Sequence, residues 1–306
     1  MRILLTGGSG LVGSNILEIS GNHSHEILAP RRTDLDLTQY SSVLKYISDC
    51  KPDIVVHAAG RVGGIQANIA SPVDFLVQNI DIGKNIILAS HSLGINRFLN
   101  IGSSCMYPKG RQDPLTEDMI LAGELEPTNE GYALAKIMCQ RLCQYISRDP
   151  NYQYKTIIPC NIYGRYDSFL PPKSHLIPAI IYKIHKAVQS GVQNIEIWGD
   201  GLAKREFMYA TDLANCIFEC IDRYDSLPPL MNIGLSEDFT INHYYEVAAE
   251  IIGFDGFFVH NTDMPVGMRR KKVSTNKQIA WGWRPMFSLN DGIKLTYEYF
   301  LSTING

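Results

Sequence analysis

An α/β fold, a doubly wound parallel sheet followed by a smaller α/β lobe, is what the sequence predicts, and three observations carry the prediction. The chain opens on a short apolar strand, Met1-Arg2-Ile3-Leu4-Leu5-Thr6. This runs straight into Gly7-Gly8-Ser9-Gly10-Leu11-Val12-Gly13 and the helical stretch Ser14-Asn15-Ile16-Leu17-Glu18. Strand-like runs then alternate with helix-length segments for about 160 residues, the pattern of parallel strands with helices on both faces. Finally, 306 residues at 45% hydrophobic content are enough to bury a large core.

Taken in order, strands are expected at Ile3 to Leu5, Glu26 to Ala29, Ile54 to Val56, Phe98 to Ile101 and Thr156 to Ile158. Ser71-Pro72 predicts a helix start, with serine as the cap and proline at the first position. Phe75, Leu76, Asn79, Ile80, Ile86 and Ile87 follow at near-helical spacing. After about residue 165 the order loosens, with Pro171-Pro172, Pro228-Pro229 and glycine-rich turns. The expected organisation is a Rossmann-type dinucleotide-binding domain over 1–165, a later return to its sheet at about 205–235, and a substrate lobe over most of 166–306.

Gly7, Gly10 and Gly13 have the G-x-x-G-x-x-G spacing of a dinucleotide fingerprint, with the required strand before them and helix after them. The first permits a tight turn, the second lets backbone approach a pyrophosphate, and the third lets helix pack on strand. Cofactor choice is read after the second strand, where an acid would bind both ribose hydroxyls of NAD. Here Glu26-Ile27-Leu28-Ala29-Pro30 is followed by Arg31-Arg32, and two guanidiniums favour the 2′-phosphate of NADP(H). A solvated basic turn is the competing reading, because Asp34 and Asp36 follow closely.

The catalytic candidates are Ser103, Cys105, Tyr132, Lys136 and His175. A phenol with a pKa of about 10 is a poor proton relay at neutral pH, so an ammonium one helical turn away is expected to tune it. Tyr132 and Lys136 have that spacing. Ser103, at the end of the run Phe98-Leu99-Asn100-Ile101-Gly102, is placed to hydrogen-bond a ketone oxygen, and Cys105 follows two residues later. Tyr132, Lys136 and Ser103 make a ketone-reducing set; Cys105 and His175 make a thiol/imidazole pair.

A net charge of −3 leaves no nucleic-acid footprint, and no apolar run is long enough to span a bilayer. The N-terminus enters a strand directly instead of offering a basic segment and an apolar signal core, so the expected location is cytoplasmic. Seven cysteines occur without C-x-x-C spacing. Cys139/Cys143 and Cys216/Cys220 fall at i,i+4 in apolar helical stretches and read as core packing, with no metal site expected.

Thr6-Gly7-Gly8-x-Gly10-x-x-Gly13, His57-Ala58-Ala59-Gly60, Gly102-Ser103-Ser104-Cys105 and Tyr132-x-x-x-Lys136 resemble an extended short-chain dehydrogenase/reductase. Longer strings are Val62-Gly63-Gly64-Ile65, Cys105-Met106-Tyr107-Pro108, Leu125-Glu126-Pro127-Thr128-Asn129-Glu130, Ser174-His175-Leu176-Ile177-Pro178 and Arg205-Glu206-Phe207. In that order they are similar to the GDP-L-fucose synthase family, the GDP-4-keto-6-deoxy-mannose 3,5-epimerase/4-reductases, over nearly the whole chain.

The resemblance implies that Cys105 is the base and His175 the acid of epimerisation, that Tyr132 protonates the oxygen reduced at C4, and that Lys136 holds the nicotinamide ribose. It also implies an NADP(H) site made of Gly7, Gly10, Leu11, Val12 and Gly13, then Arg31, Arg32, Asp36 and Leu37, then Ala58, Ala59 and Gly60. Tyr132, Lys136, Pro159, Asn161, Ile162 and His175 complete it. The GDP-linked 4-keto sugar falls to Ser104, Asn161, Lys183, Trp198, Arg205, Arg270 and Lys271. A homodimer through two long helices is implied as well, with Ser71 to Ser92 and Tyr132 to Ser147 the candidates.

The chain departs from the family at Val266-Gly267, where Asp-Gly is common, and at Ser168, where asparagine is common. A C4-reductase acting on a related hexose or heptose already epimerised elsewhere is the alternative. A 4,6-dehydratase would carry Asp-Glu where this chain has Cys105-Met106.

Overall fold

The computed structural model describes residues 1–170, 174–264 and 268–305, so Pro171, Pro172, Val266 and Gly267 lie outside the described residues. The first half alternates as β1 (Arg2–Thr6), α1 (Leu11–Ile19), β2 (Glu26–Leu28), α2 (Tyr40–Cys50), β3 (Ile54–His57), α3 (Ile65–Ala70) and α4 (Pro72–Ser92). It continues through β4 (Arg97–Ile101), α5 (Glu130–Ile146), β5 (Gln153–Pro159) and β6 (Asn161–Tyr163). The five strands expected from the sequence all form, each within a few residues of its expected bounds.

The second half contributes α6 (Leu176–Ser190), β7 (Asn194–Trp198), β8 (Lys204–Arg205), β9 (Phe207–Tyr209), α7 (Ala210–Asp222) and β10 (Leu230–Ile233). After these come β11 (Phe239–Thr240), α8 (Ile241–Ile252), β12 (Phe257–Asn261), β13 (Arg270–Lys271), α9 (Asn276–Trp281) and α10 (Leu289–Asn305).

A six-stranded sheet in the order β10-β5-β4-β3-β1-β2 is parallel throughout. The central strands β1 and β3 carry continuous apolar runs, Ile3 to Leu5 and Ile54 to Val56, because both faces are covered. Alternate side chains divide between two cores: Ile3, Leu5, Ile54 and Val56 pack with α1 and α7, while Leu4 and Val55 pack with α2, α4 and α5. Cys139 and Cys143 are buried in the second of these cores and Cys216 and Cys220 in the first, all as free thiols. The strand order reverses between β1 and β3, and the loops leaving the carboxyl ends of β1, β3 and β4 carry the glycine turn, Ala58 to Gly60 and Ser103.

The start of α4 differs in one respect from expectation. Proline does occupy the first turn, but the Ser71 side chain makes no capping hydrogen bond. Its backbone N–H closes α3 on the Ala67 carbonyl at 3.2 Å, so Ser71 links two helices and its backbone, not its hydroxyl, is what the junction uses.

A third core gathers α6, α8 and α10 with Tyr163, Ile195, Ile197, Phe207 and Tyr209. Its sheets are small: β12 pairs with β7, β11-β8-β13 form a triplet, and β6 pairs with β9. Two buried carboxylates tie this half to the sheet domain. Asp212 of α7 accepts from the backbone N–H groups of Met286 (2.8 Å) and Phe287 (3.2 Å). Glu206, only 1% exposed, accepts from those of Leu235 (2.7 Å) and Val273 (2.9 Å).

Candidate active site

Ser103 leaves the end of β4 and caps a 3₁₀ turn over Ser104–Met106, its Oγ accepting from the Cys105 backbone N–H at 3.4 Å. The same hydroxyl lies within electrostatic reach of the Tyr132 phenol and the Cys105 thiol and draws both down, which brings three of the candidates to one region. Tyr132 and Lys136 lie one turn apart on α5, with the Lys136 ammonium 5.8 Å from the Tyr132 ring centroid. Lys136 is 6% exposed and donates to the Ile101 carbonyl at 2.9 Å.

The electrostatics differ from the expected tuning of tyrosine by lysine. Burial pushes the Tyr132 phenol up, the Cys105 side chain adds to this, and the Ser103 hydroxyl pulls it back. The phenol therefore holds its proton, which is the form a reduction needs. Lys136 is itself pulled down by burial and sits near the Gly60 turn, where a ribose would pass.

Cys105 is 5% exposed; burial pushes its thiol up, and Lys271, the Ser103 hydroxyl and Lys136 pull it back in that order. His175 stands at the N-terminus of α6, half-buried, with its imidazole lowered by desolvation. Asp167, on the segment leading to His175, is held up to about 7 by burial; its Oδ1 accepts from the Ser168 N–H at 2.8 Å. Ser168 itself is exposed.

NADP(H) fits the glycine turn. Gly7 has φ +78° and a Cβ there would meet the Ala59 nitrogen at 2.7 Å, while a Cβ on Gly13 would lie 2.1 Å from the Gly7 carbonyl oxygen. A Cβ on Gly10 would meet only that carbonyl, at 3.4 Å, so its outer side is open for a pyrophosphate. α1 then begins with Gly10 as cap, with Leu11 and Val12 in its first turn and no acidic residue there to repel an anion. Arg31 and Arg32 are exposed just beyond β2, and Arg32 is within electrostatic reach of Asp36. Asp36 Oδ1 is already engaged by the Thr38 N–H at 3.0 Å, and the Leu37 carbonyl accepts from Asn85. Ala58, Ala59 and Gly60 are half-buried beside Thr6, whose carbonyl accepts from the Ala58 N–H at 3.2 Å. Pro159 ends β5 and Ile162 lies in β6, just after the Cys160 link between the two strands.

The expected substrate residues separate. Lys183 donates to the Glu196 carbonyl at 2.8 Å, and the Trp198 indole N–H donates to Glu196 Oε1 at 3.0 Å. Trp198 is 45% exposed, so it is available as a stacking surface. Asn161 donates to the Glu206 carbonyl at 2.9 Å and thereby positions the strand that carries Arg205. Ser104 is buried as the first residue of the 3₁₀ turn. Arg270 is committed to Asp238, at 2.6 and 3.0 Å, whereas its neighbour Lys271 is within electrostatic reach of Cys105.

Asp238, Glu206 and Asn15 are the residues to which sequence reasoning gave no role. Asn15, fully buried, donates to the carbonyls of Leu11 (2.8 Å) and Arg165 (3.0 Å) and accepts from Thr211 at 3.1 Å, bracing the cofactor turn against the second half. An asparagine on the apolar side of the first helix, and a lone glutamate before Phe207-Met208-Tyr209, were the available signals.

Residues 3–234 match the model of the NAD dependent epimerase/dehydratase family. The chain belongs to that family. It is 50% identical over 306 residues to the GDP-L-colitose synthase of Yersinia pseudotuberculosis, covering 100% of this chain and 99% of the relative. It is 46% identical over 301 residues to the GDP-L-fucose synthase of Azorhizobium caulinodans, covering 98% and 96%. Among solved structures, the NADP-bound GDP-mannoheptose C4 reductase of Campylobacter jejuni superposes with a TM-score of 0.88 at 27% identity, covering 98% of each chain. The expectation of an NAD(P)-dependent α/β oxidoreductase is met.

Proposed function

We propose that the protein is an NADPH-dependent GDP-4-keto-6-deoxy-sugar 4-reductase that first epimerises C3 and C5. The observation that carries this reading is Ser103, whose Oγ accepts from the backbone N–H of the candidate base, Cys105, at 3.4 Å and lies within electrostatic reach of the proton donor of reduction, Tyr132. The full-length likeness to GDP-L-colitose and GDP-L-fucose synthases supports it.

The 4-keto group acidifies the hydrogens at C3 and C5. Cys105, once ionised, removes such a hydrogen, and His175 returns a proton from the other face. Ser103 orients the ketone oxygen, and Tyr132 gives it a proton as C4 is reduced. When bound, NADPH supplies the hydride for that carbon. Gly10 and the start of α1 would hold its pyrophosphate, Arg31 and Arg32 its 2′-phosphate, and Lys136 its ribose. Lys183, Trp198 and Arg205 would take the GDP part.

Separate cores for the sheet and for the α6/α8/α10 half support a cofactor domain over 1–165, with its later return, and a sugar-nucleotide lobe over most of 166–306. Exposed Val73, Val77 and Leu88 on α4, with Leu134 and Tyr145 on the adjacent α5, support a homodimer through these helices. Seven free cysteines support a reducing, cytoplasmic location.

Turnover of GDP-4-keto-6-deoxy-mannose with NADPH in heavy water tests the function. Deuterium at both C3 and C5 of a reduced product is expected. Label at C5 alone would make the enzyme a 5-epimerase, and reduction with no label would leave a reductase only.

A further inference from the structure

The chain that follows Ser103 leaves the site and comes back. It runs through the 3₁₀ turn Ser104–Met106 and the buried Tyr107, passes over an exposed stretch at 109–114, and returns to the interior at Leu115, which is 1% exposed. So short a turn has little stability of its own. Besides the Ser103 cap it is closed by the Met106 N–H, which donates to the Ser103 carbonyl at 3.1 Å.

Both limbs of this loop end on one side chain. Asn232 of β10, at the edge of the six-stranded sheet, is fully buried; its carboxamide accepts from the Tyr107 hydroxyl and donates to the Leu115 carbonyl at 2.8 Å. The two partners fix the orientation of the amide. A carbonyl can only accept, so Nδ2 must face Leu115, Oδ1 faces Tyr107, and the phenol has to be the donor. Burial pushes that phenol well above its ordinary range, so it keeps the proton it donates. The Asn232 backbone N–H donates to Glu117 Oε1 at 2.9 Å, which gives the same residue a third hold, on the returning limb. Leu115 in turn donates its N–H to the Lys272 carbonyl and accepts from the Ser274 N–H, both at 2.8 Å. The loop is thereby fastened to the sheet on one side and to the later half of the chain on the other.

We propose that Asn232 is a positioning residue for epimerisation: by gripping Tyr107, two residues beyond Cys105, it fixes the turn that aims the Cys105 thiol. The proposal rests on Cys105 being the base. Sulfur has to meet the C–H bond at C3 or C5 in line, and a misplacement of about 1 Å can cost on the order of 10²-fold. Ser103 depends less on this anchor. It follows directly on β4, whose place is set by pairing with β3 and β5, and the Gly102 N–H extends that pairing to the Ile157 carbonyl at 2.8 Å. Cys105 lies past that support, so loosening Tyr107 bears on the thiol more than on the hydroxyl. An anchor that served only the stability of the fold would change how much protein is folded, not the rate of each folded molecule.

The experiment compares Tyr107→Phe, Asn232→Asp and Cys105→Ser in the full chain. It measures deuterium entry at C3 and C5 by NMR, kcat and KM for reduction of an already-epimerised GDP-4-keto sugar, and NADPH sites by fluorescence titration, with every rate expressed per NADPH site. Tyr107→Phe deletes the hydroxyl alone and is expected to slow deuterium entry about tenfold per site, while reduction and its KM stay within about twofold. Asn232→Asp turns a carboxylate oxygen onto the Leu115 carbonyl and is expected to slow deuterium entry further; where this variant does not fold, Tyr107→Phe decides by itself. Equal losses in both reactions, a rise in KM alone, or rates per site equal to wild type in Tyr107→Phe would overturn the proposal. Deuterium entry that survives Cys105→Ser would remove the base and the proposal with it. Loss on Cys105→Ser beside an unchanged Tyr107→Phe rate would overturn the role of Asn232 alone.

Discussion

The residues proposed for reduction and those proposed for epimerisation meet at the Ser103 turn but are assembled in different ways. Ser103, Tyr132 and Lys136 come from the end of β4 and one turn of α5, two elements that meet in the sheet domain. Cys105 is on the same turn as Ser103, yet the imidazole proposed to act with it, that of His175, stands at the start of α6, beyond residue 165. The first geometry is local and backed by the main core. The second exists only when the later half docks, and Glu206 and Asp212 are the buried latches that dock it.

That contrast can be broken by taking the halves apart. Tyr132→Phe removes the proton donor, and reduction followed by NADPH absorbance should fall by about 10³-fold or more while C3/C5 deuterium exchange continues. Cys105→Ser should do the reverse, with exchange down by roughly 10²- to 10³-fold and reduction of an already-epimerised sugar retained in larger part. If both variants lose both activities equally, the halves are not separable. Arg31→Ala with Arg32→Ala should reduce the preference for NADPH over NADH in kcat/KM by about tenfold, leaving the ratio of exchange to reduction unchanged.

The smallest effect is expected at the latch. Burial holds the Glu206 carboxyl up to about 7 against an ordinary 4.5. The folded chain thus binds this proton more readily than the unfolded one. Its contribution to stability is full below pH 4.5 and declines as pH rises toward about 7. Glu206→Gln should remove this decline from denaturant melts. It should also cost about 1 to 3 kcal/mol, because one carboxamide oxygen replaces two acceptors for the N–H groups of Leu235 and Val273. A melt whose pH dependence is unaltered would show that Glu206 stays ionised in the fold.

Much of the fold was legible because its signals are local. A buried parallel strand needs a continuous apolar run, and Ile3-Leu4-Leu5 and Ile54-Val55-Val56 are such runs, flanked by turn residues. The glycine turn was equally readable, since Gly7 and Gly13 are positions where a Cβ would collide with backbone. Ser71 was half legible: the proline position held, but which donor closes the helix junction depends on the chain doubling back from α3. The small strands of the second half gave no such pattern, because β8, β11 and β13 are two residues long and cannot show a period.

By itself the sequence determined the cofactor turn, the parallel sheet and the helical spacing of Tyr132 and Lys136, all of them set by backbone sterics and side-chain period within one or two adjacent elements. Tertiary structure alone decided what neighbouring basic residues do. Arg270 and Lys271 are adjacent and alike in charge, but on an extended strand they point opposite ways, and only the packed chain supplies Asp238 to the first and sets the second opposite Arg205 of β8.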